Sequence, residues 1–196
     1  MKRKVLELRP TQFALGMREV QRKVEKLRAM GHGERSDYLH ERLVRVVLAA
    51  HGRVFIVDHH HHARACWELG IEEVPVAIEE DYSRLSVDAF WDKMRASGWA
   101  HLYDQFGRGP HPPQLLPEDV RGMADDRYRS LAWALRLDGV FEKTEEAFAE
   151  FRWADFLRAE VVVGPGDEGF RKAVADACEA VRSPKAKALP GYLGKK

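Results

Sequence analysis

Four consecutive histidines follow an aspartate near the middle of the first half of the chain, as Asp58-His59-His60-His61-His62. A β-branched run ends at Asp58 and a helical pattern follows, so these five residues are predicted to form a strand-to-helix turn. The amino end of a helix presents unpaired N–H groups and a partial positive charge, which favour a bound phosphate. Imidazoles placed there can donate hydrogen bonds to phosphate oxygens and exchange protons near neutral pH. The five residues, named the histidine turn below, are the predicted phosphate site.

Catalytic roles at the histidine turn are predicted for three residues. Asp58 is expected to orient a neighbouring imidazole or to hold Mg²⁺, which would bridge phosphate oxygens. His60 or His61 is expected to perform acid–base chemistry. Successive side chains of a helix point in different directions, so the four imidazoles cannot all face one ligand. A zinc site is disfavoured, because tetrahedral zinc usually takes its ligands from separated segments.

Phosphate or nucleotide contacts are predicted for a second set of side chains, from the turn and the two helices nearest to it: His59, His62, Arg64, Gln12, Arg18 and Glu19. Arg64 is four residues after His60 on the same helix face, where a guanidinium can stabilise phosphate charge. Two plainer interpretations stay open. The histidines can be uncharged filler in a polar turn, and the residues near the amino terminus can form a solvated charged face.

Charge is distributed unevenly along the 196 residues. Lys and Arg total 32 against 31 Asp and Glu, which leaves a net charge of +1. Residues 1–45 hold 12 basic and 6 acidic side chains, residues 46–180 hold 15 and 25, and residues 181–196 hold 5 and none. Basic ends permit contact with nucleic acid, whereas the acidic middle argues against a broad DNA-binding groove through the centre.

Composition favours a folded cytoplasmic protein. Hydrophobic residues make up 45% of the chain, which argues against disorder. Cys66 and Cys178 are the only cysteines, so a disulfide framework is excluded. No apolar run approaches the roughly 20 residues that a membrane span needs, and no signal-peptide core follows the basic start. A membrane partner is therefore not expected.

Hydrophobic periodicity predicts an α+β core over residues 1–82. A helix is predicted over residues 17–30, followed by a hairpin whose strands are residues 43–48 and 54–57. The histidine turn then leads into a short helix and a strand at residues 74–78, whose proline favours the edge of the sheet. The predicted core is therefore a hairpin, a helix and a further strand.

The rest of the chain is predicted to be mainly helical. Residues 83–181 are expected to form a helical extension packed on the core, and the basic tail at 182–196 is expected to be disordered. Spacing and capping residues predict four helices, over residues 86–97, 126–137, 144–160 and 170–181.

The histidine turn resembles a motif of the ParB/sulfiredoxin superfamily, and most closely of its ParB-like nuclease branch. That motif reads Asp-Gly-His-His-Arg, with an alanine two residues later, and Asp58, His60, His61 and Ala65 match it. His59 stands where relatives often have glycine, and the residue after His61 is histidine where they often have arginine. Further similarity is found at residues 8–12, 16–19, 128–134 and 148–156, so the resemblance extends from residue 5 to about residue 160.

The resemblance implies a small mixed sheet and a nucleotide or nucleic acid phosphate at the histidine turn. Partition proteins of the superfamily are CTP-driven clamps, sulfiredoxins use ATP to repair oxidised cysteine, some relatives phosphorylate free serine, and others are described as nucleases. The first two are not expected here, because no helix-turn-helix is evident and His60 occupies the position of the sulfiredoxin cysteine.

The function expected from the sequence is therefore Mg²⁺-assisted processing of a phosphate ester or nucleotide, of the ParB-like nuclease type. ATP, ADP, CTP and nucleic acid are the candidate phosphate sources. Two alternatives stay open: a nucleotide-dependent kinase for a small molecule such as free serine, and a non-catalytic module that switches on binding a nucleotide.

Overall fold

Seven strands are found in the first part of the chain, and they confirm the predicted α+β class. The computed structural model describes residues 1–144 and 146–194. The strands are β1 (Lys2–Lys4), β2 (Leu8–Arg9), β3 (Ala14–Leu15), β4 (Val44–Leu48), β5 (Val54–Asp58), β6 (Glu73–Asp81) and β7 (Ala124–Asp125). Five of them form one mixed sheet in the order β1-β6-β4-β5-β2, and β3 and β7 form a parallel pair.

Helices make up about half of the molecule. They are α1 (Met17–Ala29), α2 (His32–Glu41), α3 (His60–Glu68), α4 (Val87–Ala96), α5 (Arg127–Leu137), α6 (Ala149–Glu160), α7 (Gly166–Ala180) and α8 (Pro184–Lys187). Within the part of the chain that the structure describes, none is long and apolar enough to cross a bilayer.

The predicted hairpin is present as the antiparallel pair β4 and β5, with Val46 opposite Ile56. Strand β4 also pairs in parallel with β6. Strand β6 as a whole lies between β1 and β4, but Pro75 pairs only with Lys2 of β1, because the pairing with β4 begins at Val76. The proline therefore lies in a first part of the strand that is paired on one side only, as predicted. β1 has only three residues, all of them basic, so no apolar alternation marks it in the sequence.

The two faces of the hairpin pack against different helices. Val46 and Ile56 belong to a core that includes residues of α1 and α3, whereas Val47 and Phe55 belong to a second core with Phe90 of α4. Neighbouring residues of a strand point to opposite faces, so burial on both sides makes the strands continuous apolar runs. This packing fixes β5, and therefore the histidine turn at its end.

Helix α2 is absent from the prediction, since two glycines flank its first residue. It is held to α1 by Arg35, whose Nε donates to Leu27 O at 2.9 Å and whose Nη2 donates to Met30 O at 3.1 Å. The arginine thereby satisfies carbonyls at the carboxyl end of α1, where a positive charge is favourable.

The chain divides into two compact units after Asp125, and α4 with the loop that follows it belongs to the first. The domain boundary predicted at residue 82 stays a prediction, because compactness does not establish which part folds alone. In the second unit Asp126 caps α5 by accepting hydrogen bonds from its first turn. Helix α6 begins at Ala149 instead of residue 144, and Glu145 lies outside the described residues.

The basic tail, expected to be disordered, contains α8 and packs on the core of the second unit. Ala186 is fully buried, and the buried indole of Trp153 donates through Nε1 to Pro190 O at 2.8 Å. A buried indole N–H needs such an acceptor. This requirement is a physical reason for the basic tail to pack here instead of being disordered. Lys195 and Lys196, also part of the predicted tail, lie outside the described residues.

Candidate functional site

The histidine turn lies where the sequence predicts it, between the end of β5 and the start of α3. Asp58 Oδ1 accepts a hydrogen bond from His59 N at 2.7 Å. The backbone of His59 is left-handed, with φ 69° and ψ 28°. Glycine adopts this conformation at lower cost than other residues, which explains why the resembling motif has glycine there.

The first and last histidines of the run contact residues of α2 and the chain after it. His59 Nδ1 donates to Leu43 O at 2.7 Å. The ring of His62 lies 6.0 Å from that of Tyr38, and its Nε2 is 3.9 Å from Cys66 Sγ. Burial is the main cause that lowers the pKa of His62 to about 4, and the nearby Lys23 and Arg42 charges add to it. His62 is therefore uncharged at neutral pH, as in the plainer interpretation of the sequence.

His60 connects the turn to the segment that precedes α1. Its Nε2 accepts a hydrogen bond from Thr11 N at 3.2 Å and lies 3.3 Å from Thr11 Oγ1. Thr11 Oγ1 itself donates to Ile56 O at 2.7 Å. An imidazole nitrogen that accepts from a backbone N–H carries no proton, so in this arrangement the proton of His60 resides on Nδ1. The side chain is buried and holds residue 11 against β5.

His61 connects the same turn to the first residues of α1. Gly16, which precedes α1, donates its N–H to His61 Nε2 at 3.1 Å. Glu19 Oε2 lies 3.6 Å from the same nitrogen, and Glu19 Oε1 is 3.3 Å from Lys23 Nζ. Both side chains of the His61–Glu19 pair are 12% exposed. The amino ends of α1 and α3 therefore meet at a partly buried imidazole with a carboxylate beside it.

Of the remaining predicted residues, some lie close to the amino ends of α1 and α3, and others contact different parts of the first unit. Gln12 is buried and forms a β-bridge with His101, next to the segment that holds His60. Arg18 is the second residue of α1 and is half-buried. Arg64 is directed to the 120–123 segment, since its Nη1 donates to Val120 O at 2.8 Å and its Nε to Glu68 at 2.9 Å. The structure thus brings Glu19 to His61 and engages Arg64 with a loop.

Three residues at the site were missed by sequence reasoning. Thr11 and Gly16 act through backbone N–H groups, and residue type gives no signal for such a contact. Asp125, at the end of the β3–β7 pair, accepts a hydrogen bond from Met17 N at 3.1 Å and so caps α1. An aspartate 108 residues from the helix it caps leaves no local capping pattern in the sequence.

The side chains at the histidine turn fit the predicted Mg²⁺ only in part. Among the described residues, no group of three or more His, Cys, Asp and Glu side chains could hold a metal ion. Magnesium often needs only one or two carboxylates, because substrate phosphates and water complete its coordination. Asp58 can supply one such carboxylate, although its Oδ1 already accepts the N–H of His59. The residues therefore fit a magnesium ion only as a companion of a bound phosphate.

Comparison with known proteins identifies the fold and the family. A family model described as "Putative ParB-like nuclease" matches residues 1–159. The crystal structure of protein Atu1540 from Agrobacterium tumefaciens is similar over 100% of this chain and 98% of that one, with 33% sequence identity and a TM-score of 0.88. No curated protein matches the sequence. The resemblance inferred from the histidine turn is thereby confirmed.

Proposed function

The chain belongs to the family of ParB-like nucleases, and we propose on that basis that it processes a phosphate ester of a nucleic acid or nucleotide at the histidine turn. The observation that carries the proposal is the meeting of two helix amino ends at His61, whose Nε2 is 3.1 Å from Gly16 N. Each helix end favours an anion, and two together favour phosphate over a neutral ligand.

The proposed chemistry uses His61 as the acid–base group. At rest the single lone pair of Nε2 accepts the N–H of Gly16. Once that N–H turns away, Nε2 can take the proton of an attacking water or hydroxyl while the new oxygen–phosphorus bond forms and the bond to the leaving oxygen breaks. Once protonated, Nε2 donates to the Glu19 carboxylate, which lies 3.6 Å away. The N–H of Gly16, already turned away from the ring, donates to a phosphate oxygen whose negative charge is increasing. Proton transfer and stabilisation of the developing charge are coupled in this step.

The other predicted residues support His61 in this proposal. His60 is a positioning residue, because its Nε2 holds Thr11 and with it the segment leading to Gly16. Asp58 would hold Mg²⁺, which supplies charge neutralisation at the phosphate when bound. Arg18, in the first turn of α1, is the cationic side chain proposed to contact the phosphate.

A non-catalytic binding module is the second candidate, and one observation favours it. At rest the Nε2 atoms of His60 and His61 both accept backbone hydrogen bonds, so neither lone pair is available to take a proton. The helix amino ends can bind a phosphate in this arrangement without any proton transfer. Transfer of a nucleotide's phosphoryl group to a small hydroxyl compound would use the same groups as hydrolysis, and only the product separates those two reactions.

The test compares wild-type protein with His61→Ala, and with His32→Ala as control because His32 is an exposed histidine. Each is incubated with Mg²⁺ or Mn²⁺ and single-stranded DNA, duplex DNA, RNA, or ATP, ADP or CTP with and without free serine. We expect turnover of one class, reduced roughly 100-fold or more in His61→Ala and unchanged in the control. Equal turnover in wild type and His61→Ala overturns the catalytic role. Binding without turnover replaces it by the binding module.

A further inference from the structure

A cleft of about 460 Å³ lies in the first unit, formed mainly by the loop that precedes β7. Its volume falls in the range of small-molecule sites. The lining residues on which the argument depends are Phe13, Gln105, Pro117, Glu118, Asp119 and Arg121. We propose that this cleft binds a nucleobase that carries an amino group. The proposal deepens the proposed function and rests on it for the phosphate at the histidine turn.

The walls of the cleft suit a flat ring. Phe13 is held by an edge-to-face contact with His111, with ring centroids 5.5 Å apart and planes at 71°. Pro117, which also lines the cleft, packs on Gly122, where an added Cβ would lie 2.9 Å from Pro117 Cβ. An aromatic and a proline surface favour stacking of a planar ligand, because each offers a rigid apolar face.

The charges of the cleft favour amino groups over phosphate. Asp119 is paired with Arg121, whose Nε and Nη2 lie 2.9 and 2.8 Å from its two carboxylate oxygens. The hydrogen bonds from Arg121 lower the pKa of Asp119, which keeps this pair ionised. Glu118 is exposed and makes no hydrogen bond or ion pair with any residue that the structure describes. One uncompensated carboxylate therefore remains in the lining.

A carboxylate accepts hydrogen bonds and repels other acceptors. Cytosine and adenine present an exocyclic amino group where uracil and thymine present a carbonyl oxygen, and guanine presents its amino group on the minor-groove edge. Uracil and thymine offer a carboxylate only one ring N–H, which two repelling carbonyl oxygens flank. The amide of Gln105 can both donate and accept, so it does not select between bases. Glu118 is therefore the proposed specificity-determining residue.

The cleft and the histidine turn share one framework. Phe13 is two residues after Thr11, which binds His60, and Phe13 O accepts a hydrogen bond from Ala124 N at 2.9 Å. Arg64 of α3 donates to the carbonyl groups of Val120 and Arg121 at 2.8 and 3.3 Å. The cleft and the histidine turn are thus formed by directly connected segments.

Two exposed aromatic residues lie close in sequence to Gln105 of the cleft, and they bear on whether the base belongs to a nucleic acid strand or to a free nucleotide. Tyr103 and Phe106 are 38% and 60% exposed, and the Arg108 guanidinium lies 5.7 Å from the Phe106 ring. Rings of this kind can stack on the neighbouring bases of a single strand, for which a free nucleotide has no counterpart.

The experiment measures binding of nucleosides, which carry no phosphate, by calorimetry or NMR titration of the full chain. We expect cytidine, adenosine and guanosine to bind at least tenfold more tightly than uridine. Glu118→Gln should reduce that ratio below threefold, since an amide can also donate to a carbonyl. Glu34→Gln, which alters an exposed glutamate of α2, should leave it unchanged. Uridine binding as tightly as the other three overturns the proposal.

The failures of the two proposals are distinguishable. If no nucleoside binds while His61→Ala still abolishes turnover, the cleft proposal fails and the proposed function stands. If nucleosides bind with the expected selectivity while His61→Ala has no effect on turnover, only the proposed function fails.

A further arm identifies the source of the base. If the base belongs to a nucleic acid strand, Phe106→Ser should weaken the binding of a short single-stranded oligonucleotide at least threefold. The binding of cytidine should be unchanged. If Phe106→Ser weakens the binding of neither the oligonucleotide nor cytidine, the cleft is assigned to a free nucleotide. Val162→Ser is the control, because Val162 is an 83% exposed apolar side chain of the second unit.

Discussion

The backbone N–H of Thr11 donates a hydrogen bond to His60 Nε2 at 3.2 Å, across 49 positions of sequence. Its neighbour His61 accepts the N–H of Gly16 in the same way at 3.1 Å. Two adjacent imidazoles thereby hold both ends of the segment between β2 and α1. The histidine run is part of the structure of the first unit as well as its candidate site, so substitutions in it must be judged by stability before activity.

Replacement of His60 by alanine should lower the free energy of unfolding by about 2–6 kcal/mol. The substitution leaves the buried N–H of Thr11 without its acceptor and opens a cavity, and each effect costs about 1–3 kcal/mol. Urea unfolding at pH 7 measures the loss. His32→Ala, at an exposed position, should stay within about 0.5 kcal/mol of wild type. An equally small effect of His60→Ala would contradict the role of His60 as a buried acceptor.

At position 59, glycine should be more stabilising than alanine, by about 1 kcal/mol. Both substitutions lose the hydrogen bond to Leu43 O, but only glycine relieves the left-handed backbone at φ 69°. The two variants are compared by urea unfolding. At Arg22, an exposed position inside α1, the order should be reversed, with alanine better by about 1 kcal/mol. Alanine above glycine at position 59 would show that the backbone is not left-handed in solution.

Much of the fold could be predicted because its signals are local. Strands β4 and β5 are β-branched, α1 repeats apolar residues every three or four positions, and Ser86 caps α4 by accepting from Ala89 N. Strands β1, β2, β3 and β7 have two or three residues each, too few for any period to appear. Their positions follow from long-range pairing, such as Lys2 with Pro75, which a single sequence does not display.

In the candidate site, too, the features with local signals could be predicted from the sequence, and those that depend on long-range contacts could not. The place of the histidine turn follows from the change of period at Asp58. The different surroundings of four identical side chains depend on partners far away in sequence, such as Thr11 for His60 and Leu43 for His59. Arg64 lies on helix α3 as predicted. Its guanidinium, however, donates to the carbonyl of Val120, 56 residues later, and the sequence pattern gives no sign of this contact.

Arg64→Gln should release the 120–123 segment from α3. The guanidinium is 12% exposed and donates to Val120 O at 2.8 Å, a charged hydrogen bond whose loss should cost about 2 kcal/mol. Amide hydrogen exchange should become faster in residues 120–123. Arg22→Gln is the matched control, because Arg22 is 71% exposed and its ion pair with Glu25 contributes little. Unchanged exchange in the segment would argue against the contact.

In the second unit, Glu150→Gln should destabilise the fold by about 2–4 kcal/mol. Glu150 is 3.2 Å from Arg129 Nη2 and 3.1 Å from Arg136 Nε, and the Arg129 side chain is only 6% exposed. Removing the carboxylate charge deprives the buried guanidinium of Arg129 of one of the two carboxylates that act on it, the other being Asp126. Thermal and urea unfolding measure the change. Glu146→Gln should alter stability by less than about 0.5 kcal/mol, because Glu146 pairs with Arg152 at the surface.

Acidification should destabilise the first unit through His62. Burial lowers the pKa of this imidazole from 6.5 in the unfolded chain to about 4 in the folded one. The unfolded state therefore binds the proton first, so the contribution of His62 is complete above about pH 6.5 and is lost as the pH falls toward 4. The difference between the two pKa values corresponds to about 3 kcal/mol. His62→Met keeps an apolar filler in this position and should remove that part of the pH dependence. Urea unfolding of both proteins at pH 7, 5.5 and 4 measures it, and parallel losses of stability would show that His62 is not the group responsible.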